Sequence, residues 1–98
     1  MTAAVGAAAA SAGAVNPPLH AVAIENMQFS PQTLTVKRGE RVTWVNKDLV
    51  PHTATAAGVF DSRSLAPHAS WSHVARKPGR YDYVCTLHPT MKGTLIVE

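Results

Sequence analysis

The chain has one cysteine in 98 residues, Cys85. No intrachain disulfide can staple the fold, and cysteine usage does not fix a redox compartment. No apolar run approaches the ~20 residues needed to cross a bilayer as a helix, so stable membrane insertion is excluded. Charge runs are absent too. Nine Lys and Arg against six Asp and Glu give a net charge of +3, with the cations scattered along the sequence from Lys37 to Lys92. A nucleic-acid footprint would be denser and interleaved with aromatics, so the charge is read as tuning solubility and encounter with an acidic partner. No Ser-His-Asp set, paired carboxylates or phosphate-binding loop is present, which argues against an enzyme.

What is there divides in two. Residues 1–18 are an Ala-rich leader or a disordered extension. Thr2 to Val15 is almost all Ala, Gly, Val and Ser, with small-x-small steps of the kind signal peptidase accepts, although no Lys or Arg precedes them. Residues 19–98 form one domain, with short apolar alternations bounded by turn residues, the pattern of an all-β sandwich or barrel. Strands are expected at Ala21–Ile24, Met27–Phe29, Thr33–Lys37, Arg41–Asn46, Thr53–Ala56, Ser70–Ala75, Tyr81–Cys85 and Gly93–Glu98. Period two puts Tyr81, Tyr83 and Cys85 on one face of their strand. Gly39 is expected to supply a positive φ, and Phe60 and Leu65 to pin the loop that carries them.

One stretch carries chemistry: Cys85-Thr86-Leu87-His88-Pro89-Thr90-Met91. It brings a thiolate, an imidazole and a thioether into seven residues, and His52 supplies a second imidazole from the end of a strand-like run. Each alone has a bland reading: a buried thiol, a solvated imidazole, a core methionine. Together they suit copper. Structural zinc sites favour several Cys or His, and Met is a poor zinc ligand, whereas two His, one Cys and a weakly held Met make the trigonal blue-copper set. Neither His68 nor His73 has a second soft ligand nearby in sequence, and His68 is expected in a turn.

With these residues the chain resembles the cupredoxins, the type 1 blue copper proteins, and most closely their amicyanin-like and plastocyanin branch. Cys-x-x-His-x-x-Met with Pro89 after the His is similar to the amicyanin ligand loop, and Phe29-Ser30-Pro31 with Thr33-Leu34-Thr35-Val36 resembles the opening of many bacterial cupredoxins. The resemblance implies a Greek-key β-sandwich with one type 1 copper at one end, held by His52, Cys85, His88 and Met91. It implies a periplasmic, monomeric electron-transfer protein, docking redox partners such as a cytochrome c or a dehydrogenase near His88. A copper storage or delivery protein is the alternative. The family's usual Asn after the first His is Thr53 here, so the family's side-chain hydrogen bond to Thr86 falls to a threonine hydroxyl, which is less well placed for it. Ala75 stands where relatives carry an aromatic, which predicts an underfilled core.

Overall fold

The structure is a computed structural model that describes residues 20–98. The leader expected over residues 1–18 lies outside the described residues, as does Leu19. One sheet comprises β1 (His20–Glu25), β2 (Gln28–Ser30), β4 (Arg41–Asn46) and β7 (Ser70–Val74), in the order β2-β1-β4-β7. The other comprises β3 (Thr33–Val36), β5 (Thr55–Ala56), β6 (Phe60–Asp61), β8 (Gly79–Cys85) and β9 (His88–Val97), in the order β3-β9-β8-β5-β6. No helix occurs among the described residues. The all-β sandwich expected from the alternation is the fold observed.

Alternation places the core between the sheets. In β4, Val42 and Trp44 are fully buried while Arg41 is exposed. In β8, Tyr83 and Cys85 are buried and share their face with half-buried Tyr81. Trp44 is the hub, with ring centroids 5.3 Å from Phe60, 5.5 Å from Tyr83 and 5.7 Å from Trp71. Phe60 and Leu65 are buried, pinning the 58–68 loop as expected. Gly39 (φ 93) and His68 (φ 71) both occupy left-handed turn positions. The space left by Ala75 is a crevice of about 160 Å³ between Val59, Tyr81, Leu95 and Val97.

Most strand boundaries lie within two residues of expectation, and the two that differ by more or fall beside His52 bear on the motif. β5 begins only at Thr55, because the residues before it are bound elsewhere. His52 bridges Leu65, and the Ala54 amide donates to Ser62 Oγ at 2.8 Å. β9 begins at His88 rather than Gly93, with Cys85 paired to His88 after a register shift at Val84/Cys85. The motif is therefore a tight connection with Thr86 and Leu87 at its tip, and a tip that short has few conformations available.

Gly93 lies opposite Tyr83 in the β8–β9 ladder, and a β-carbon there would clash with the hydroxyl end of the Tyr83 ring. Tyr83 is itself wedged between Phe29 and Trp44 at centroid distances of 4.7 and 5.5 Å, so it cannot step aside freely. Gly93→Ala is therefore expected to lower stability by about 1–3 kcal/mol through overpacking. Denaturant unfolding checks this; an unchanged midpoint would mean that the Tyr83 ring moves at no cost.

Candidate metal centre

The turn from β4 to His52 is built around a buried side chain. The Asn46 amide donates to Val50 O and Leu65 O, both at 2.9 Å, and its Oδ1 accepts the Asp48 N–H at 2.9 Å. Pro51 stiffens the last step. His52 then exchanges backbone hydrogen bonds with Leu65, His52 N to Leu65 O at 3.1 Å and Leu65 N to His52 O at 2.7 Å. Its side chain is fully buried.

The two ring nitrogens of His52 face different groups. Nε2 lies 2.9 Å from Asp48 Oδ2, and Nδ1 lies 3.6 Å from Cys85 Sγ. A carboxylate only accepts, so the ring proton belongs on Nε2 and the Nδ1 lone pair is aimed at the sulfur. Asp48 also accepts the Asn26 amide at 2.8 Å and the Met27 amide at 2.9 Å. Asn26 and Met27 have φ of 57° and 58°, consecutive left-handed residues in the β1–β2 turn. Burial pushes the Asp48 carboxyl up, but the Met27 amide, the His52 ring and the Asn26 amide together outweigh it and hold the group below the usual carboxylate range.

Cys85 is fully buried at the end of β8. Its sulfur accepts the Thr53 N–H at 3.3 Å, and the Nδ1 of half-buried His88 lies 3.6 Å away, the same separation as from His52. The donor atoms of His52, Cys85 and His88 all lie within 4.8 Å of one another. Met91, three residues into β9 from His88, is buried. Across the gap between the two segments, Thr53 Oγ1 accepts the Thr86 N–H at 2.8 Å and lies 3.1 Å from Thr86 Oγ1. The threonine pair thus makes the bridge expected of it.

The spacing itself tests whether a metal fits. Bonds of about 2.1 Å to nitrogen and 2.3 Å to sulfur, typical of a first-row ion, set N and S roughly 3.6–3.8 Å apart at angles near 110–120°. Both N···S separations match. The donors are an imidazole pair and a single thiol in a buried, pre-formed cage, which suits a borderline-to-soft ion and not magnesium or calcium. Of the predicted site residues, the structure brings His52, Cys85 and His88 together and buries Met91 in the strand that continues from them. His68 and His73 take no part: His68 is exposed, and His73 stacks on Trp71 and lies tilted against Phe60, at centroid distances of 6.0 and 4.8 Å.

Sequence reasoning did not single out Asp48. A usable signal existed, since a ligating imidazole almost always gives its other N–H to a carboxylate, carbonyl or water, and Asp48 is four residues before His52. Asp48→Ala is expected to weaken copper retention about 10–100-fold, measured by competition with a chelator. With its carboxyl pKa depressed in the fold, the brace contributes stability above the ordinary Asp range and loses it as pH falls through the lowered value. Apo-protein unfolding followed below pH 5 should therefore show a smaller acid loss in Asp48→Ala than in the wild type.

Comparison with known proteins agrees with this geometry. A family model described as a cupredoxin-like domain matches residues 1–97. Amicyanin-alpha of Methylorubrum extorquens is 36% identical over 83 residues, covering 79% of this chain and 70% of that protein. Amicyanin of Paracoccus versutus is also 36% identical over 83 residues; the match takes in 79% of this chain and 63% of that protein, less than two thirds of its length. Plastocyanin of Scenedesmus fuscus is 37% identical over 84 residues, covering 71% of this chain and 86% of the plastocyanin. Among solved structures, a Cu(I) form of an amicyanin variant superposes with a TM-score of 0.76 at 34% identity, over 82% of each chain. Sandwich, ligand-type cluster and relatives converge, and the chain belongs to the cupredoxin-like family.

Proposed function

We propose that this cupredoxin is a small blue copper electron carrier in which His52, Cys85, His88 and Met91 hold one type 1 copper per chain. The observation that carries the reading is the convergence of two imidazole Nδ1 atoms on one buried thiol, each at 3.6 Å, in a cage already closed by protein hydrogen bonds. Copper bound there supplies a one-electron couple between Cu(II) and Cu(I).

The chain's own residues supply the rest. The Asp48 brace fixes the tautomer and ring angle of His52, and the Thr53 N–H draws electron density from the Cys85 sulfur, which tunes the couple. Thr53 and Thr86 hold the two ligand-bearing segments together, so gain or loss of an electron moves little. Four protein ligands leave no position for substrate, in contrast to catalytic metal sites, so the reading is a carrier and not an enzyme.

His88 is the half-buried member, flanked in sequence by exposed Leu87 and Pro89, with exposed Leu49, Val50 and Pro51 ahead of His52. An apolar surface of this kind suits brief docking of a redox partner such as a cytochrome c or a dehydrogenase. The Ala-rich stretch before residue 19 supports a periplasmic location. Storage or delivery fits less well, because a fully buried His52 braced through Asp48 resists ready release of the ion.

Titration with Cu(II) tests the reading: an intense visible thiolate-to-copper band and reversible one-electron voltammetry are expected. Cys85→Ser should lose the band while the apo fold survives. Met91→Gln should keep copper and shift the reduction potential downward, since an oxygen donor favours Cu(II). A band that persists in Cys85→Ser, or a potential unchanged in Met91→Gln, removes that residue from the ligand set.

A further inference from the structure

The bridge between the two ligand-bearing segments does not end at Thr53. Thr53 and Thr55 are two residues apart on an extended stretch, so their side chains share a face. Thr55 in turn pairs with Asp61 across the β5–β6 ladder. Its Oγ1 lies 3.1 Å from Thr53 Oγ1 and 3.0 Å from Asp61 Oδ1. A carboxylate and three hydroxyls thus follow one another from exposed Asp61, through half-buried Thr55 and buried Thr53, to Thr86.

The Asp61 end is fixed. Its Oδ1 also accepts the Arg63 N–H at 2.8 Å, closing a turn in which Arg63 is left-handed at φ 60°. The Arg63 amide, the Thr55 hydroxyl and the Arg63 charge outweigh the burial that pushes the carboxyl up, and hold it below the usual carboxylate range. Near neutral pH the group has lone pairs and no proton to give. Ser62 secures the same turn independently. Its Oγ accepts the Ala54 N–H at 2.8 Å, and its N–H donates to Ala54 O at 3.0 Å.

The carboxylate decides where a single proton goes. The Thr55 hydroxyl has one proton and two acceptors in reach, Asp61 Oδ1 and Thr53 Oγ1. A hydrogen bond to an ionised acceptor is roughly twice as strong as one between neutral groups, so the proton goes to Asp61. Thr53 Oγ1 has two lone pairs and three neighbours able to donate: the Thr86 N–H at 2.8 Å, Thr86 Oγ1 at 3.1 Å and Thr55 Oγ1 at 3.1 Å. With the Thr55 proton on Asp61, both lone pairs are left for Thr86. Without an acceptor at 61, the same proton falls on Thr53 and takes one of them.

We propose that Asp61 is a positioning residue for the metal centre: it draws the Thr55 proton off Thr53, and so leaves Thr53 free to clamp Thr86 and the Cys85–Thr86 peptide. It acts without touching a ligand. The consequence for electron transfer rests on the copper reading above, since a clamped Cys85 keeps its place in both redox states. The relay of hydroxyls is a property of the chain itself.

Amide hydrogen exchange at Thr86, followed by NMR on the full chain both metal-free and with Cu(I), tests the proposal. Asp61→Ala should speed that exchange about three- to ten-fold, the worth of one hydrogen bond, while the Trp44 and Leu95 amides in the central strands keep their wild-type rates. Asp61→Asn retains the acceptor oxygen and should recover most of the protection. Thr55→Val removes the competing proton, so Thr86 should exchange no faster than in the wild type, and adding Asp61→Ala to it should change nothing. That null in the double variant separates the relay from a general loosening of the loop or a loss of surface charge, either of which would act in both backgrounds. An unchanged Thr86 rate in Asp61→Ala, or an equal rise in the double variant, overturns the proposal. If Asp61→Ala speeds the core amides too, Thr55→Val alone decides, and faster Thr86 exchange in that variant overturns it. A wild-type chain with no visible copper band would defeat the copper reading only, because the metal-free Thr86 rates still decide the relay.

Discussion

The candidate metal end of the sandwich depends on the hydrogen bonds of Thr53. The ligand-bearing segments are separated by 33 residues and scarcely paired by strand, since β5 meets β8 only at Thr55 and Val84. Thr53 replaces the missing ladder, with its backbone N–H on the Cys85 sulfur and its hydroxyl on the Thr86 amide. In a site this buried, each of these groups would be costly to leave unpaired. The same contacts that satisfy the backbone therefore set the distance between His52 and Cys85, and the geometry follows from closing the fold.

Asp48 extends the logic outward. One carboxylate accepts from the His52 ring and from two amides of a left-handed turn at Asn26 and Met27. Buried Asn46, through Val50 O, Leu65 O and the Asp48 amide, fixes the loop from which that carboxylate projects. The β1–β2 turn, the β4–β5 connection and the Leu65 loop are thereby locked to one imidazole. An ion arriving at such a site meets ligands whose rotamers are already chosen, so little ordering entropy opposes its binding.

Much of this was legible in the sequence, for identifiable reasons. Period-two alternation revealed β4 and β8 and put Tyr81, Tyr83 and Cys85 on one face, because burial on one face leaves no freedom of register. The cluster of His52, Cys85 and His88 was legible because Cys, His and Met at such spacing have few other uses together. What failed was whatever depended on tertiary partners. Thr53–Ala56 has β propensity throughout, yet His52 and Ala54 spend their backbone groups on Leu65 and Ser62, which no local pattern announces. β9 starts at His88 because Cys85 pairs across the tip. Asp48 went unnoticed because its partners lie 21 and 22 residues upstream as well as four downstream.

The Gly39 turn and the Ala75 crevice share one end of the sandwich, where the Gly39 N–H meets Ala75 O, and this has a consequence for how the molecule can vary. β4 separates them from the Asn46–His52 region by six residues, or about 20 Å of extended chain. Energetic coupling between substitutions fades beyond about 7–10 Å when no partner is shared. Changes at the two extremities should then combine additively, without epistasis. A lineage could exchange one set of surface residues for another at the Gly39–Ala75 end, generation by generation, while the Cys85–Met91 loop drifted under an unrelated selection.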